Sequence, residues 1–140
     1  MVVKLSVNTL SWSKGSARDQ ALDLFAMIDA AHRLRLDGIS VDAREFESTE
    51  AGYLKRVRRA CVERGLAIDY IGVPASHNKE GAEARRENIQ MLCGWVDVAA
   101  ELGVGMVRTF GGQVGEGDGP GGRERAEAVA WPNIVASLQE

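Results

Sequence analysis

Several polar and aromatic side chains directly follow apolar segments that could be strands. In parallel α/β folds, ligands bind at the carboxyl ends of the strands, so these side chains are candidates for a binding site. His77 and Asn78 lie in the polar segment ASHNKE, where the imidazole either is simply exposed or exchanges protons with a ligand near neutral pH. Arg108 stands among apolar residues, so we expect it to be paired with Asp42 or Glu45, or with a ligand hydroxyl, phosphate or carboxylate. The candidates are Asn8, Trp12, Asp42, Glu45, His77, Asn78 and Arg108.

The elements that position these residues are clearest between Val96 and Gln113, VDVAAELGVGMVRTFGGQ. Its first part has apolar residues at helical spacing, and Gly103 ends that helix where the backbone turns left-handed. The apolar run Val104 to Phe110 then predicts a buried strand, and a glycine-rich loop follows. This order of helix, glycine, strand and loop is one step of a parallel α/β fold.

The same step repeats along the chain, which predicts four strand–helix units joined by right-handed crossovers. Pro74 should end the third strand, because proline lacks a ladder donor. Pro132 is unfavourable inside the last predicted helix unless it begins a new helix, where its fixed φ and missing N–H are tolerated. Both an open doubly wound sheet and part of a (βα)₈ barrel fit this order. The predicted strands are 2–12, 39–46, 67–73 and 104–110, and the predicted helices are about 21–34 (capped by Asp19), 51–64, 82–102 and 126–138.

Apolar residues at helical spacing predict which side of each helix faces the core. Basic residues gather on the other side of the second helix, and we interpret them as a solvated face. Cys61 and Cys93 fall inside helical patterns and are predicted to be reduced, buried thiols of a cytosolic protein. The predicted core positions are Leu24, Phe25, Ile28 and Leu34 in the first helix, Leu54, Val57 and Cys61 in the second, and Ile89, Leu92, Val96 and Ala99 in the third.

Composition places the chain among soluble globular proteins, since 140 residues with 45% apolar side chains and a net charge of −3 suffice for one core. No apolar run approaches the roughly 18 residues of a membrane helix, and the start lacks the features of a signal peptide. We therefore expect a cytoplasmic protein without a membrane partner. The slight acidity argues against nucleic acid, which usually selects a basic stripe.

Nucleotide binding is also disfavoured by the loops. The turn after the first strand, NTLSWSKG, contains no GxGxxG pattern to hold a pyrophosphate. The later GEGDGPGG is rich in glycine, but its acidic residues repel phosphate and it lacks the GK[ST] ending of a P-loop.

The segments CVERGLAIDYIGVPASHN and WVDVAAELGVGMVRTFGGQ resemble the sugar phosphate isomerase/epimerase family, the xylose-isomerase-like TIM barrels, which have the apurinic endonucleases as distant relatives. The pattern of a helix, AAELG, a strand and VR-x-FGG is fairly specific to the end of the fourth barrel unit. LRLDGISVDAREF and GVPASHN fit the ends of the second and third units. The resemblance covers essentially the whole chain, while the chain covers about half of the family's fold.

The resemblance implies that residues 1–140 are a single partial domain, four βα units of a parallel (βα)₈ TIM barrel, because a full barrel has about 250 residues. It implies metal-assisted isomerisation or epimerisation of a sugar or polyol by proton transfer next to a carbonyl. The divalent metal (Mn, Mg, Co or Zn) would be held by Glu, Asp, His and Glu ligands of the second half, which are not in this chain. The implied substrate-binding residues are Asn8, Trp12, Glu45, His77, Asn78 and Arg108, with Trp12 as a wall for a sugar face or an ordinary packing residue.

Three functional interpretations stay open. The chain is half of an enzyme, inactive without a complementing C-terminal half that belongs to the same or another chain. Alternatively, it is a non-catalytic half-barrel that forms homo-oligomers through the free edges of its first and fourth strands. The third, an apurinic-endonuclease-like repair protein, requires a basic groove and more histidines than the sequence contains.

Overall fold

The computed structural model describes residues 3–12, 22–112, 114 and 121–140. Strands and helices alternate along it, as the repeated step predicts. Short 3₁₀ turns, Thr9–Ser11 and Ala43–Glu45, follow the first two strands. The elements are β1 (Ser6–Asn8), α1 (Leu24–Arg33), β2 (Gly38–Asp42), α2 (Ala51–Glu63), β3 (Ala67–Ser76), α3 (Ala82–Leu102), β4 (Val107–Phe110) and α4 (Gly122–Gln139).

The described strands form one sheet in chain order, β1-β2-β3-β4, and this sheet does not close on itself. β1 pairs with β2 in parallel, with Asn8 opposite Ser40, and β2 pairs with β3 in parallel, with Asp42 opposite Gly72. The order of the described strands and their parallel pairing are those of the predicted βα units. No helix among the described residues has the length and apolarity needed to cross a membrane.

Two compact units share these elements. The first comprises Met1–Val73 and Trp95–Arg108, and the second comprises Pro74–Gly94 and Thr109–Glu140. The chain therefore passes between the units within β3, within α3 and within β4.

The core of the first unit lies between the sheet and the apolar faces of α1 and α2. Asp23, not Asp19, caps α1: its carboxylate accepts a hydrogen bond from the amide of Ala26, and Asp19 lies outside the described residues. Leu34 is 62% exposed although its spacing predicts burial, because α1 ends at Arg33 and the chain turns there. Fully buried side chains in this core are Leu24, Met27, Ile28, Ile39, Val41, Val57 and Ile71.

The first two strands are shorter than predicted. The predicted strand 39–46 ends at Asp42, because its carboxylate accepts a hydrogen bond from the amide of Arg44 and starts a 3₁₀ turn. Asn8 ends β1 in the same way by accepting a hydrogen bond from the amide of Leu10. Both turns place side chains, not strand backbone, at the carboxyl ends of β1 and β2.

β3 runs through Pro74, so the prediction that this proline ends the strand is wrong. The amide of Ile71 donates to the carbonyl of Met106, and the amide of His77 donates to the carbonyl of Phe110. From Ile71 onward, beyond a shift in register between β2 and β3, odd-numbered residues of β3 therefore donate toward β4, and the even-numbered Pro74 removes no donor to β4. The pairing with β2 ends where Asp42 lies opposite Gly72, before Pro74, so no ladder bond to β2 is lost either.

α3 has the predicted bounds, but its core face differs by one position. Val98, Ala99 and Leu102 are buried, whereas Val96 is 51% exposed. Leu92 and Ile89 are only half-buried. The apolar stripe has a spacing of three and four residues, and Val96 lies just outside it.

α4 is continuous through Pro132, so no new helix begins at this residue and the helix accommodates the proline. The ring lies on the exposed side of the helix, next to Trp131, which is 67% exposed. Proline removes its own donor and its ring crowds the carbonyl four residues earlier, that of Ala128. Ala128 is exposed, so solvent can reach the carbonyl that the proline leaves without a donor. The side-chain amide of Asn133 donates to the carbonyl of Val129 in the same turn.

The two cysteines differ in environment, contrary to the prediction that both are buried. Cys61 is buried, Cys93 is exposed, and both are free thiols. Burial raises the pKa of the Cys61 thiol to about 11, with a smaller opposing effect from the Arg64 cation. Cys61 therefore stays protonated and unreactive in the folded protein.

We expect a thiol reagent such as dithionitrobenzoate to modify Cys93 rapidly in the native protein at about pH 8, and to reach Cys61 only on unfolding. The thiolate release is followed by absorbance, with and without denaturant. Cys93→Ser should remove the rapid phase. A rapid phase that persists in that variant would show that Cys61 is accessible.

Candidate functional site

In the first unit, the end of β1 is a turn fixed by side chains. The Asn8 Oδ1 atom accepts the amide of Leu10 at 2.9 Å, and the Trp12 amide donates to the Thr9 carbonyl at 2.9 Å. The Asn8 Nδ2 atom donates to the hydroxyl of Tyr70 on β3 at 2.8 Å. Trp12 is half-buried at the end of the turn. Asn8 and Trp12, both predicted to bind substrate, are therefore held in one short segment.

Thr9 joins the carboxyl ends of β1 and β2. It is fully buried, and its Oγ1 atom accepts the amide of Asp42 at 2.9 Å. This bond brings the turn that carries Asn8 next to the turn that carries Glu45. The predicted residues of the first two strands thus lie at one edge of the sheet, as parallel strands require.

Asp42 is 3% exposed and forms an ion pair with Arg44, whose Nε atom lies 2.7 Å from Oδ1 and whose Nη2 atom lies 3.1 Å from Oδ2. The fork of the guanidinium thus covers both oxygens of a carboxylate that also caps the turn. Arg108 is exposed on β4, not enclosed as its apolar neighbours predict. Its pairing with Asp42 or Glu45, or with a substrate, stays a prediction.

Glu45 is half-buried at the end of the second turn, and its pKa is raised above its ordinary value. The main cause is desolvation, followed by repulsion from the Asp42 carboxylate, while the Arg44 cation acts in the opposite direction. The folded protein binds this proton more tightly than the unfolded chain does. Glu45 therefore stabilises the fold below its ordinary pKa, and that contribution is lost as the pH rises through the raised pKa.

Replacing Arg44 with methionine should raise the pKa of Glu45 further, because the repulsion from Asp42 then acts without an opposing cation. The measurement is an NMR titration of the Glu45 carboxyl carbon. Arg33→Met, at an exposed position at the end of α1, is the control and should leave the titration unchanged. A fall in the Glu45 pKa on removal of Arg44 would contradict this electrostatic account.

In the second unit, His77 is 2% exposed, so the interpretation as an exposed loop residue is wrong. Its Nδ1 atom lies 2.8 Å from the hydroxyl of Ser137 on α4, and its Nε2 atom lies 3.1 Å from the hydroxyl of Thr109 on β4. The Thr109 hydroxyl donates to the carbonyl of Ala75 at 3.4 Å, so it accepts from Nε2–H, and Ser137 then donates to Nδ1. Both ring nitrogens hold α4 and β4 together, and a substrate contact by His77 remains a prediction.

Asn78 is half-buried and lies beside Gly112. Any larger residue at position 112 would force the neighbouring atoms to shift. Gly112 has φ of 124°, and a Cβ atom there would lie 2.6 Å from the Asn78 Cβ and 2.7 Å from the Ser76 Oγ. On the other side, the Asn88 Oδ1 atom accepts the amide of Ser76 at 3.1 Å. The loop that carries His77 and Asn78 is thus fixed from α3 and from the first glycines after β4.

The divalent metal implied by the resemblance does not fit the described residues. No three or more of their His, Cys, Asp and Glu side chains lie close enough together to hold a metal ion. Asp42, the most buried of these carboxylates, is already paired with Arg44. The polar groups at the ends of β1 and β2, among them those of Asn8 and Glu45, can instead form hydrogen bonds with a polar ligand.

Two cavities of about 260 Å³ open at the other ends of the strands in the first unit. One is lined by residues of α2, by the start of β3 and by the turn after α3, and Arg58 is among its lining residues. The other lies beside Lys4, Asp37 and Asp69. Neither includes a predicted site residue, and the amino ends of strands in such folds serve stability.

Solved structures of sugar epimerases share this fold. A D-psicose 3-epimerase crystallised with D-fructose has a TM-score of 0.72 and 15% identity, over 97% of this chain and 46% of that chain. The D-psicose 3-epimerase of Clostridium cellulolyticum H10 with D-tagatose has a TM-score of 0.71 and 9% identity, over 98% and 46%. The chain has the fold of half a xylose isomerase-like TIM barrel.

The half-barrel also matches the probable 3-DHS dehydratase of Bacillus anthracis involved in petrobactin synthesis, with a TM-score of 0.61 and 18% identity over 98% of this chain and 49% of that one. It thus spans about half the length of each of these structures. No protein-family model and no curated protein sequence matches the chain. Identities this low establish the fold, and the function is argued from the site.

The sequence interpretation missed several residues of the site, among them Tyr70, Thr109 and Ser137. Side chains of a strand alternate between the two faces of the sheet, so Tyr70 could have been placed on the same face of β3 as Gly72. Thr109 is within the strand predicted at 104–110, but nothing in its neighbours marks it as the partner of a histidine. Ser137 is 60 residues from His77, a separation that no local pattern bridges.

Proposed function

We propose that this half-barrel is the substrate-binding half of a sugar isomerase or epimerase, and that it is inactive without a complementing half. The observation that supports this most is the fold match to two sugar epimerases over nearly the whole chain and about half of theirs. The joined turns after β1 and β2 add a polar edge suited to a polyhydroxylated ligand. A small sugar or polyol, sugar phosphates included, is the proposed substrate class.

The chemistry is proton transfer next to a carbonyl, and this chain's share of it is binding and proton placement. Asn8 and Trp12 present an amide and an apolar ring to the sugar. Glu45, whose pKa is raised, keeps its carboxyl proton to a higher pH than an exposed glutamate and can donate it to a sugar oxygen. His77, Asn78 and Arg108 stay proposed contacts. The metal, if required, belongs to the complementing half.

The proposed function is tested by calorimetric titration of the 140-residue chain with D-fructose and, separately, with Mn²⁺. We expect weak sugar binding, with a Kd of about 1 mM or above, and no comparable binding of Mn²⁺. Glu45→Gln, which keeps shape and loses the ionisable group, should weaken the sugar complex. Absence of sugar binding would contradict the binding role, and Mn²⁺ binding with a Kd of about 1 µM would contradict the placement of the metal ligands elsewhere.

A second candidate is a non-catalytic half-barrel that self-associates, and the edge strand β1 favours it. Among the described strands β1 pairs only with β2, and the residues that lead into it, Val3 and Leu5, are 70% and 62% exposed. Unpaired backbone flanked by exposed apolar side chains is a template for another strand.

Sedimentation velocity at micromolar concentration tests this candidate, with a dimer or larger species expected. Leu5→Lys places a charge at the edge and should shift the distribution toward monomer. Leu34→Lys, at a comparably exposed position at the end of α1, is the control. A wild-type protein that sediments as a clean monomer would contradict self-association.

A further inference from the structure

The side chain of Tyr70 joins β3 to β1, which are not neighbours in the sheet. It lies on β3, yet its hydroxyl accepts a hydrogen bond from the side chain of Asn8 on β1 at 2.8 Å. β2 lies between them, so the phenol ring crosses that strand. A Cβ atom on Gly72 would lie 3.7 Å from the Tyr70 ring and 3.9 Å from the Asp42 carboxylate, so glycine leaves space between the ring and the end of β2.

The direction of this hydrogen bond is fixed by a third group. The Asn8 Oδ1 atom accepts the backbone amide of Leu10 at 2.9 Å, so the other end of the amide, Nδ2, faces Tyr70. An amide nitrogen only donates, and the phenol oxygen is therefore the acceptor. The hydroxyl hydrogen of Tyr70 is not used in this bond and points away from Asn8. Tyr70 and Asn8 are both half-buried, so a ligand can reach this end of the sheet.

We propose that Tyr70 binds the sugar directly, by donating its hydroxyl hydrogen to an oxygen of the ligand at the carboxyl ends of β1 and β2. This inference rests on the proposed function and adds a residue that selects the ligand. The hydroxyl is held by Asn8 before the ligand arrives, so little ordering is required on binding. A site that is built to hydrogen-bond a particular hydroxyl discriminates against the analogue that lacks it.

Tyr70→Phe tests the proposal, because it keeps the ring and removes only the hydroxyl. The full 140-residue chain is titrated with D-fructose by ligand-observed NMR, which measures weak complexes. Tyr53→Phe is the matched control: it removes the hydroxyl of the chain's other tyrosine, which is 4% exposed on α2 and accepts the amide of Glu47 at 3.3 Å. Each protein is also titrated with the 1-deoxy, 3-deoxy, 4-deoxy and 6-deoxy forms of D-fructose.

We expect Tyr70→Phe to raise the Kd for D-fructose about 3- to 10-fold, the range of one neutral hydrogen bond, and Tyr53→Phe to leave it unchanged. For at least one deoxy sugar the wild type and Tyr70→Phe should bind equally, since the accepting oxygen is then absent. If the role of Tyr70 were purely structural, Tyr70→Phe would raise the Kd of every sugar by the same factor.

Two results would overturn the inference and leave the proposed function standing: equal binding of D-fructose by the wild type and Tyr70→Phe, or a loss that is the same for every deoxy sugar. If the wild type itself binds no D-fructose, the proposed function fails and the inference fails with it. The wild-type titration therefore separates the two failures.

Discussion

Replacing Leu24 with alanine is expected to lower the free energy of unfolding by about 2–5 kcal/mol. Leu24 is the first residue of α1 and is 1% exposed, so the truncation leaves a cavity in the core of the first unit. Its neighbours Met27 and Ile28 have no exposed surface and limited freedom to fill the space. The measurement is urea unfolding followed by circular dichroism, with the slope checked for two-state behaviour.

The matched control is the same substitution at the other end of the same helix. Leu34 is 62% exposed, so Leu34→Ala should change the free energy of unfolding by about 0.5 kcal/mol or less. The sequence pattern alone predicts that both leucines are buried and would give similar losses. Equal losses at the two positions would therefore show that Leu34, like Leu24, packs into the core.

Replacing His77 with phenylalanine is expected to lower the free energy of unfolding by about 1–3 kcal/mol, the effect of leaving a buried polar group without its partner. Phenylalanine has a similar ring but cannot accept the hydrogen bond from Ser137, which is 3% exposed. Thr109 keeps its bond to the carbonyl of Ala75, so the loss arises mainly at Ser137. Chemical unfolding monitored by circular dichroism gives the value.

A double-mutant cycle separates this pair from general disruption. Ser137→Ala in the His77→Phe background should restore part of the stability, because it removes the stranded hydroxyl. His32→Phe alters the chain's other histidine, an exposed residue whose Nδ1 atom lies 3.1 Å from the carbonyl of Arg64, and should have an effect of about 0.5 kcal/mol or less. Strict additivity of His77→Phe and Ser137→Ala would contradict a coupled pair.

The bounds of α2 and α3 were predictable from local signals, whereas α1 begins at Leu24 instead of about residue 21 and α4 begins at Gly122 instead of about residue 126. The contacts of the site were not predictable. The bounds of α3 are as predicted, and α2 ends one residue earlier, because apolar spacing and the glycines at 65 and 103 act within a few residues of the chain. Strand ends were less predictable. Asn8 and Asp42 end their strands because their side chains accept hydrogen bonds from backbone amides two residues later. Val96 shows that a one-residue error in phase moves a side chain from core to solvent.

In the candidate site, too, residues at strand ends were predictable from the sequence, and contacts between distant elements were not. The spacing of the sequence placed Asn8, Trp12 and Glu45 at strand ends, and the structure joins those ends through Thr9. Tyr70 was missed because its bond to Asn8 depends on strand order and register across β2, which no spacing in the chain records. The burial of His77 was missed for the same reason, since Ser137 reaches it from another element.

The central claim is that the carboxyl ends of β1 and β2 bind a sugar. Amide NMR of the ¹⁵N-labelled chain during titration with D-fructose tests it most directly. The account predicts saturable shifts at Asn8, Leu10, Trp12 and Glu45, and none at the opposite ends of the strands, near Lys4, Asp37 and Ala67. Saturable shifts confined to those opposite ends, or no saturable shift anywhere, would contradict it.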